Sequence, residues 1–285
     1  ENGWAGGMAR PAVGDDRPII FRRTAQGWTE VLLDPPDGCV DISDLDFLFA
    51  DYGWAICGYG LSTQGYRYDG QNWTAVDIPG AFPFTAAAFD LVEPDHVYVA
   101  GLMADMGGLA EFYEWKDGTF VDGMSGSWFD WYDGIAVEDG EGWFARGQWR
   151  AEFYPAEVFR LADGEWETAG DLGGYYGSVS KFARSPSGTW YAAAYGAGPA
   201  IFRFVDGTWE LMPGESSRGL GAGFFAMDVK ADNFAVAAGA SYFAGYSEGP
   251  GLVMSYRGSL WRYAPEPSAV MNAVYEGVSY VYEPR

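Results

Sequence analysis

The sequence predicts an all-β fold, a six-bladed β-propeller with four antiparallel strands in each blade. Three observations favour it: an aromatic hairpin phrase recurs six times, a second phrase recurs in step with it, and long helical patterns are missing. Aromatic residues make up 18% of the 285 residues and glycine accounts for 41, which is typical of short strands joined by tight turns. We expect a single domain over residues 1–285.

The first phrase predicts a β-hairpin in every repeat. It places alternating apolar residues before a turn and an aromatic strand after it, and four of the six copies carry Asp-Gly, which suits a turn with positive φ. The copies are FRRTAQGWTEV (21–31), YRYDGQNWTAV (66–76), YEWKDGTFVDG (113–123), FRLADGEWETA (159–169), FRFVDGTWELM (202–212) and MSYRGSLWRYA (254–264). The closing aromatics, which we expect to pack one blade against the next, are Trp28, Trp73, Phe120, Trp166, Trp209 and Trp261.

The second phrase predicts another strand, which begins near residues 3, 53, 96, 142, 189 and 233. Its copies are GWAGG (3–7), GWAICG (53–58), HVYVAG (96–101), GWFARG (142–147), TWYAAAYG (189–196) and NFAVAAG (233–239). A further apolar run, such as GIAV (134–137), lies between each hairpin and the next copy of the second phrase. Each repeat therefore holds four strands, called A to D from the innermost outwards, and the second phrase marks strand B. Four-stranded units with a period near 47 residues predict a propeller.

The two ends of the chain are predicted to close the ring. The chain begins at a B strand around Trp4, so the first blade lacks its innermost strand. The spacing of the repeats places that strand at 273–283, within AVYEGVSYVYEPR (273–285). Pairing this segment with the first blade removes a free sheet edge and completes six blades.

The "GWA" and "DG-x-W" phrases resemble those of bacterial extracellular propellers with degenerate Asp-box or related repeats. The resemblance covers the whole chain and implies the architecture. A full Asp-box, S-x-D-x-G-x-T-W, is not met, since residues 202–209 read FRFVDGTW. The arginine triad and Tyr–Glu pair of sialidases have no assigned positions, and the binding motifs of six-bladed fungal-type fucose lectins have no match, so neither activity is carried over.

The two cysteines are predicted to form a disulfide. Cys39 lies in the connection that enters strand A of the second repeat, and Cys57 ends strand B of the same repeat. Antiparallel pairing places the start of A beside the end of B, which makes the bond geometrically reasonable. A disulfide predicts an extracellular, periplasmic or cell-surface location. The alternative is two buried free thiols.

The long connections between strands form the predicted binding region. In a propeller the A–B and C–D hairpins lie on one face, and the longer, more variable B–C and D–A connections lie on the other. Flat aromatic rings beside Asp and Arg suit sugar rings, and the same residue types suit a protein interface. The candidate ligand-binding residues are Trp128, Asp130, Trp131, Tyr132, Trp149, Arg150, Tyr175, Tyr176, Arg218, Tyr242 and Tyr246. The alternative is that these loops pack on one another over the blade ends.

The charge restricts the partners. Acidic residues number 40 against 17 basic ones, a net charge of −23, which disfavours nucleic acids and anionic membranes. No apolar run approaches the roughly 20 residues of a membrane-spanning helix. No cofactor is predicted, and a fortuitous calcium ion is a weaker alternative because the acidic clusters 41–46 and 137–142 match no calcium-loop pattern.

The sequence names no catalytic residue and favours a role without enzymatic activity. His96, the only histidine, begins a B strand away from the long loops, so we expect a structural or surface role for it. The leading hypothesis is a secreted or cell-surface recognition module that binds a glycan or small polar ligand on its aromatic loops. One alternative is a structural or assembly subunit that makes protein–protein contacts in a larger surface complex. A second is a carbohydrate-active enzyme that uses paired carboxylates.

Overall fold

The described part of the chain consists of strands and turns. The computed structural model describes residues 3–9, 15, 17–24, 26–31, 33, 39–57, 64–77, 84–103, 109–116, 119–128, 130–148, 155–196, 199–213, 222–231, 234–241, 251–257 and 260–263. Within these ranges no helix occurs. The chain divides into two compact units, the first running through Tyr132 and the second beginning at Asp133.

The first unit contains three antiparallel sheets in which consecutive strands pair. The three-stranded sheet is β1 (Gly3–Ala9), β2 (Arg17–Thr24) and β3 (Gly27–Val31). The next is β4 (Ile42–Phe49), β5 (Tyr52–Cys57), β6 (Gln64–Tyr68) and β7 (Trp73–Asp77). The third is β8 (Phe84–Glu93), β9 (His96–Met103), β10 (Leu109–Lys116) and β11 (Thr119–Trp128). The predicted order A-B-C-D therefore holds in both four-stranded sheets.

The second unit is built on one 11-stranded sheet, which consists of three meanders. The first is β12 (Asp130–Glu138), β13 (Glu141–Gln148), β14 (Pro155–Ala162) and β15 (Glu165–Arg184). The second reuses β15 and continues through β16 (Trp190–Gly196), β17 (Ala200–Val205) and β18 (Thr208–Leu211). The third is β19 (Ala222–Ala231), β20 (Phe234–Ser241), β21 (Gly251–Arg257) and β22 (Leu260–Tyr263). Among the described residues, the pair Tyr195↔Gly223 joins the last two meanders into one sheet.

Two of the predicted Asp-Gly hairpin turns have the expected backbone. Asp163 and Gly164 have φ of 54° and 82°, and Asp206 and Gly207 have φ of 49° and 83°. Positive φ at both central residues is the type I′ geometry, whose twist matches that of the flanking strands. The Asp69–Gly70 turn is different, because only Gly70 has positive φ and the Asp69 carboxylate accepts the N–H groups of Gln71 and Asn72.

Aromatic and aliphatic side chains fill the space between the sheets of the first unit and between the meanders of the second. In the first unit, Trp54 packs among Phe89 and Val97 of the next sheet. In the second, Trp143 packs against Phe182 and Trp209 of the next meander. Burying each such side chain contributes roughly 1.5–3 kcal/mol. Apolar packing therefore holds together the sheets of the first unit and the meanders of the second.

The prediction for the closing aromatics is confirmed for Trp73 and Trp209. Trp73 meets Trp4 of the preceding sheet with ring centroids 5.6 Å apart, and Trp209 meets Trp143 at 4.9 Å. Trp166 instead lies edge-on to Phe144 of its own sheet at 4.9 Å. The side chains of Trp28, Phe120 and Trp261 lie outside the described part of the structure.

Strand residues occupy two D–A segments, 123–134 and 170–178, where the sequence analysis expects long, variable connections. The segment 123–134, expected as a loop, is occupied by β11 up to Trp128 and by β12 from Asp130. The segment 170–178 lies inside the 20-residue strand β15. Its glycines mark the crossover, since Gly170, Gly173 and Gly174 have φ of 97°, 66° and 78°. These left-handed positions let the chain leave one meander and enter the next without a separate loop.

Candidate functional site

The two ends of the described sheets differ in the length of their connections in most repeats; in the meander of β16 and β17 the B–C connection is only 197–199. At one end, strands A and B and strands C and D are joined by short turns: β4 ends at Phe49 and β5 begins at Tyr52, and β14 ends at Ala162 and β15 begins at Glu165. At the other end, the B–C connections are long, as between Gln148 and Pro155 or Ser241 and Gly251. We call these the hairpin end and the loop end.

The structure describes only some of the candidate ligand-binding residues. The backbones of Trp128, Asp130, Trp131, Tyr132 and Tyr176 belong to β11, β12 and β15, while their side chains lie outside the described part. Trp149, Arg150, Arg218, Tyr242 and Tyr246 lie outside it altogether. The predicted grouping of these side chains into one binding surface therefore stays a prediction. The predicted closing strand 273–283 also falls outside the described residues.

Tyr175 is the one candidate whose side chain is described. It is half-buried and lies against the core cluster of the second unit, with its ring edge-on to Phe202 at 5.3 Å. It sits in the glycine-rich crossover of β15, two residues before Gly177, where a Cβ would meet the Tyr195 carbonyl oxygen and the Tyr175 ring. Tyr175 thus anchors this loop-end crossover to the apolar core.

The predicted disulfide is present and reinforces the loop end of the β4–β7 sheet. Cys39 and Cys57 are bonded, with Cα atoms 5.7 Å apart, and both are buried beside Ile20 and Ile42. The bond ties the connection before β4 to the last residue of β5. It therefore fixes the base of the long B–C connection that follows Cys57.

A polar cluster lies at the hairpin end of the first unit, between the second and third sheets. Arg67 of β6 pairs with the Asp95 carboxylate at 2.8 Å, and the Tyr52 hydroxyl donates to the same oxygen at 3.1 Å. The Asp95 N–H donates to the Tyr52 oxygen at 2.9 Å, which fits its left-handed turn with φ of 58°. The hydrogen bond and charge of Asp95 raise the pKa of Arg67 above its ordinary value.

A second polar cluster lies on the β8–β11 sheet and contains the only histidine. The Nε2 atom of His96 stands 2.7 Å from Oε1 of Glu114, and the Tyr98 hydroxyl donates to that oxygen at 3.3 Å. Because a carboxylate only accepts, Nε2 carries the proton and Nδ1 is the acceptor in the neutral ring. Burial, and then the charge of Glu114, raise the pKa of Tyr98, so the phenol stays protonated.

Arginines face aromatic residues across strands B and C in four of the repeats. The cross-strand pairs are Trp4↔Arg22, Trp54↔Arg67, Trp143↔Arg160 and Tyr191↔Arg203. The guanidinium carbon of Arg22 lies 5.2 Å from the Trp4 ring centroid, and that of Arg160 lies 5.9 Å from the Trp143 centroid. In the third repeat the corresponding pair is Tyr98↔Glu114. A carboxylate therefore replaces the arginine only where the histidine is also found.

The Glu114 cluster was missed by our sequence analysis, which assigned His96 a structural or surface role. The signal was available in the hairpin phrase, whose second residue is Arg in four copies, Ser in one and Glu in YEWKDG. Among the described residues, no three His, Cys, Asp or Glu side chains could together hold a metal ion. The described part also includes no helix long and apolar enough to cross a membrane.

The chain resembles solved β-propeller structures over most of its length. No protein-family model matches the sequence, and no curated protein does. A structure of YCF48 bound to D1 peptide has a TM-score of 0.58 at 15% identity, covering 94% of this chain and 79% of that chain. The nidogen/laminin complex gives 0.53 at 12% identity, covering 92% and 99%.

A third match is the polysaccharide lyase PL25 ulvan lyase, with a TM-score of 0.55 at 10% identity, covering 93% of this chain and 80% of that chain. Identities this low carry information about the fold alone. The matched structures are propellers, and the described part of this chain forms the antiparallel three- and four-stranded arrangements that such folds contain. The chain therefore has a β-propeller-type fold.

Proposed function

We propose that this chain is a six-bladed propeller that acts outside the reducing cytosol as a recognition protein, holding a glycan or small polar ligand at its loop end. Six blades follow from the six sequence repeats and from closure of the first blade by residues 273–283. The location rests on the Cys39–Cys57 bond, because structural disulfides persist in oxidising compartments.

The contrast between the two ends of the sheets carries this proposal. In most repeats the hairpin end is made of tight turns with little freedom to vary, whereas the loop end has longer B–C connections on a rigid scaffold. Binding residues are concentrated on such loops because the scaffold supports their geometry without constraining their sequence. The disulfide adds to this rigidity, since it lies at the loop end.

The loop-end sequences supply the chemistry for sugar binding. Trp128, Trp131 and Trp149 offer flat apolar faces, and Asp130 and Arg150 offer hydrogen-bond acceptors and donors beside them. With a net charge of −23, the protein repels polyanionic chains. We therefore propose a neutral or amino-substituted glycan rather than a sulfated or uronic-acid polymer.

The rival functions are distinguished by the identity of the ligand. YCF48 is described with a peptide and nidogen with laminin, so a polypeptide ligand at the loop end is the main competitor. The ulvan lyase shows that a protein of similar fold acts on a polysaccharide. Neither comparison identifies a substrate for this chain.

The test is binding of the intact protein to a glycan array, followed by calorimetry with the best neutral oligosaccharide. Trp131→Ala and Trp149→Ala should each weaken binding at least about tenfold, as expected when an anchoring aromatic is truncated. The matched control is Phe49→Ala, because Phe49 is 59% exposed at the hairpin end and should leave affinity unchanged. An array without binders, or a loss of affinity only in the Phe49 variant, would refute the proposal.

A further inference from the structure

We propose that Asn72 is an attachment site for an N-linked glycan, added by an oligosaccharyl transferase in an oxidising secretory compartment. The inference goes beyond ligand binding at the loop end, because Asn72 lies in the hairpin-end turn between β6 and β7. It rests on the part of the proposed function that places the chain outside the reducing cytosol.

Residues 72–74 read NWT, which matches the acceptor pattern Asn-x-Ser/Thr with a residue other than proline in the middle. The other three asparagines of the chain do not match it, since Asn2 is followed by GW, Asn233 by FA and Asn272 by AV. A glycan attached through this pattern therefore has one position in the 285 residues.

The motif occurs where the second repeat lengthens its C–D turn. This turn has four residues, 69–72, whereas the corresponding turns in the second unit have two, 163–164 and 206–207. The longer turn places Asn72 directly before the aromatic residue that opens the next strand, Trp73. The acceptor thus belongs to a turn that departs from the tight form of the other repeats.

The backbone of Asn72 is fixed while its side chain is free. Its N–H donates to the Oδ1 atom of Asp69 at 2.7 Å, and its carbonyl oxygen accepts the Asp69 N–H at 3.2 Å. Asn72 is exposed, and within the described part of the chain its side-chain amide makes no hydrogen bond. An ordered turn therefore presents to solvent the amide nitrogen that carries the sugar.

The other two residues of the motif separate into an inward and an outward side chain. The Trp73 ring packs inward, with its centroid 5.6 Å from that of Trp4 and 5.9 Å from that of Phe47. Because side chains alternate along a strand, Thr74 faces away from this aromatic cluster, and it is exposed. The fold therefore keeps both polar members of the motif at the surface.

Strand β7 lies at an edge, which leaves room for a bulky group. It is the last strand in the order β4-β5-β6-β7, and among the described residues it pairs with β6 alone. Free strand edges invite pairing with another chain, and native proteins commonly cover them. A glycan at the start of β7 extends into solvent from this edge and shields it.

The same sheet carries the independent observation on the compartment, the Cys39–Cys57 bond. Structural disulfides form in oxidising compartments such as the lumen of the endoplasmic reticulum, where oligosaccharyl transferases act. There the Nδ2 atom of Asn72 forms a bond to C1 of the first sugar of a lipid-linked oligosaccharide. The bond from C1 to the lipid pyrophosphate breaks, the pyrophosphate leaves with the bonding electrons, and Nδ2 loses a proton.

Mass spectrometry of the intact chain, secreted from yeast or insect cells behind a cleavable signal sequence, tests the proposal. We expect the mass to exceed that of the polypeptide by one N-glycan. Peptide-N-glycosidase F should remove it and convert Asn72 to aspartate in the peptide that contains it. Since Asn72 is exposed, the enzyme should act on the native protein, and the near-ultraviolet circular dichroism of the two forms should coincide.

Four variants locate the site. Asn72→Gln and Thr74→Ala should each abolish the modification, whereas Thr74→Ser, which keeps the hydroxyl, should retain it. The matched control is Gln71→Ala, because Gln71 is an exposed neighbour in the same turn and lies outside the motif. Near-ultraviolet circular dichroism checks that each variant is folded. Asn72→Gln should also leave ligand binding at the loop end unchanged.

The proposal is overturned if the secreted wild type carries no N-glycan, if the added mass persists in Asn72→Gln, or if Thr74→Ala is modified as fully as the wild type. Alkylation of the same sample reports the state of Cys39 and Cys57. An unmodified chain with the disulfide formed overturns this site alone. An unmodified chain with free thiols also removes the support for the location in the proposed function.

Discussion

Arg160 and Trp143 lie directly across from each other on β14 and β13, and the guanidinium carbon of Arg160 stands 5.9 Å from the indole centroid. The same arginine reaches Phe204 of the next meander at 6.0 Å and Glu141 at 3.4 Å. The pair therefore links the two repeated phrases of the sequence: the Trp of one phrase is covered by the Arg of the other.

Trp143→Ala should lower the free energy of unfolding by about 3–5 kcal/mol, because the indole is almost fully buried between Phe182 and Trp209. Arg160→Ala should cost only about 0.5–1 kcal/mol, since its guanidinium lies at a partly exposed edge. Denaturant unfolding followed by tryptophan fluorescence measures both. Leu211→Ala, at a position 64% exposed, should change the stability by less than about 0.5 kcal/mol.

The strands could be predicted from the sequence because the same two phrases recur in six repeats. The phrase around Trp54 predicted β5, the phrase around Arg67 predicted β6, and the Asp-Gly turns predicted where hairpins reverse. The phase between the two phrases also determines the cross-strand register, in which Trp54 meets Arg67. Agreement between independent repeats is a stronger signal than any single segment provides.

The crossovers and the Glu114 cluster were not predicted, for different reasons. Glycine-rich sequence is typical of a loop, yet Gly173 and Gly174, with φ of 66° and 78°, lie in a bulge inside β15, and strand pairing resumes at Tyr176. Glu114 looks like ordinary surface charge until its partners are known. His96 lies 18 residues away in sequence, and only the β9–β10 register brings the two side chains together.

Gly134→Ala should destabilise the second unit, because a Cβ there would lie 2.7 Å from the backbone carbonyl oxygen of Val179. Backbone of β12 and β15 must separate to admit the methyl group, at a cost of about 1–3 kcal/mol. Gly7→Ala is the matched control in a strand, since nothing lies within 4 Å of its Cβ position. Thermal unfolding of both variants tests this, and equal melting temperatures would show that the strands can part without cost.

Asp69 should make the stability of the protein sensitive to acid. The N–H groups of Asn72 and then Gln71 hold the pKa of this carboxyl below its ordinary value. A carboxyl with a depressed pKa stabilises the fold above the pKa of the unfolded chain, and that contribution disappears as the pH falls through the folded pKa. The expected result is that the wild type exceeds Asp69→Asn in stability at neutral pH and that the two converge in acid.

Denaturation midpoints of the two proteins, measured between about pH 7 and about pH 2, test this convergence. Asparagine keeps a side-chain acceptor for the same N–H groups, so the variant isolates the charge from the hydrogen bonds. A stability difference that stays constant with pH would mean that the Asp69 charge contributes nothing to this turn.

The Cys39–Cys57 bond should stabilise the fold mainly through the unfolded chain. It joins residues 18 positions apart, and closing a loop of that size contributes about 3 kcal/mol by the chain-entropy argument. Cys39→Ser with Cys57→Ser should therefore lower the free energy of unfolding by about that amount. Since both sulfurs are buried, the native protein should also resist a mild thiol reductant that cleaves the bond in denaturant. Mass spectrometry after alkylation distinguishes the two states, and rapid reduction of the native protein would show that the loop end opens readily, against the rigid support we assign to it.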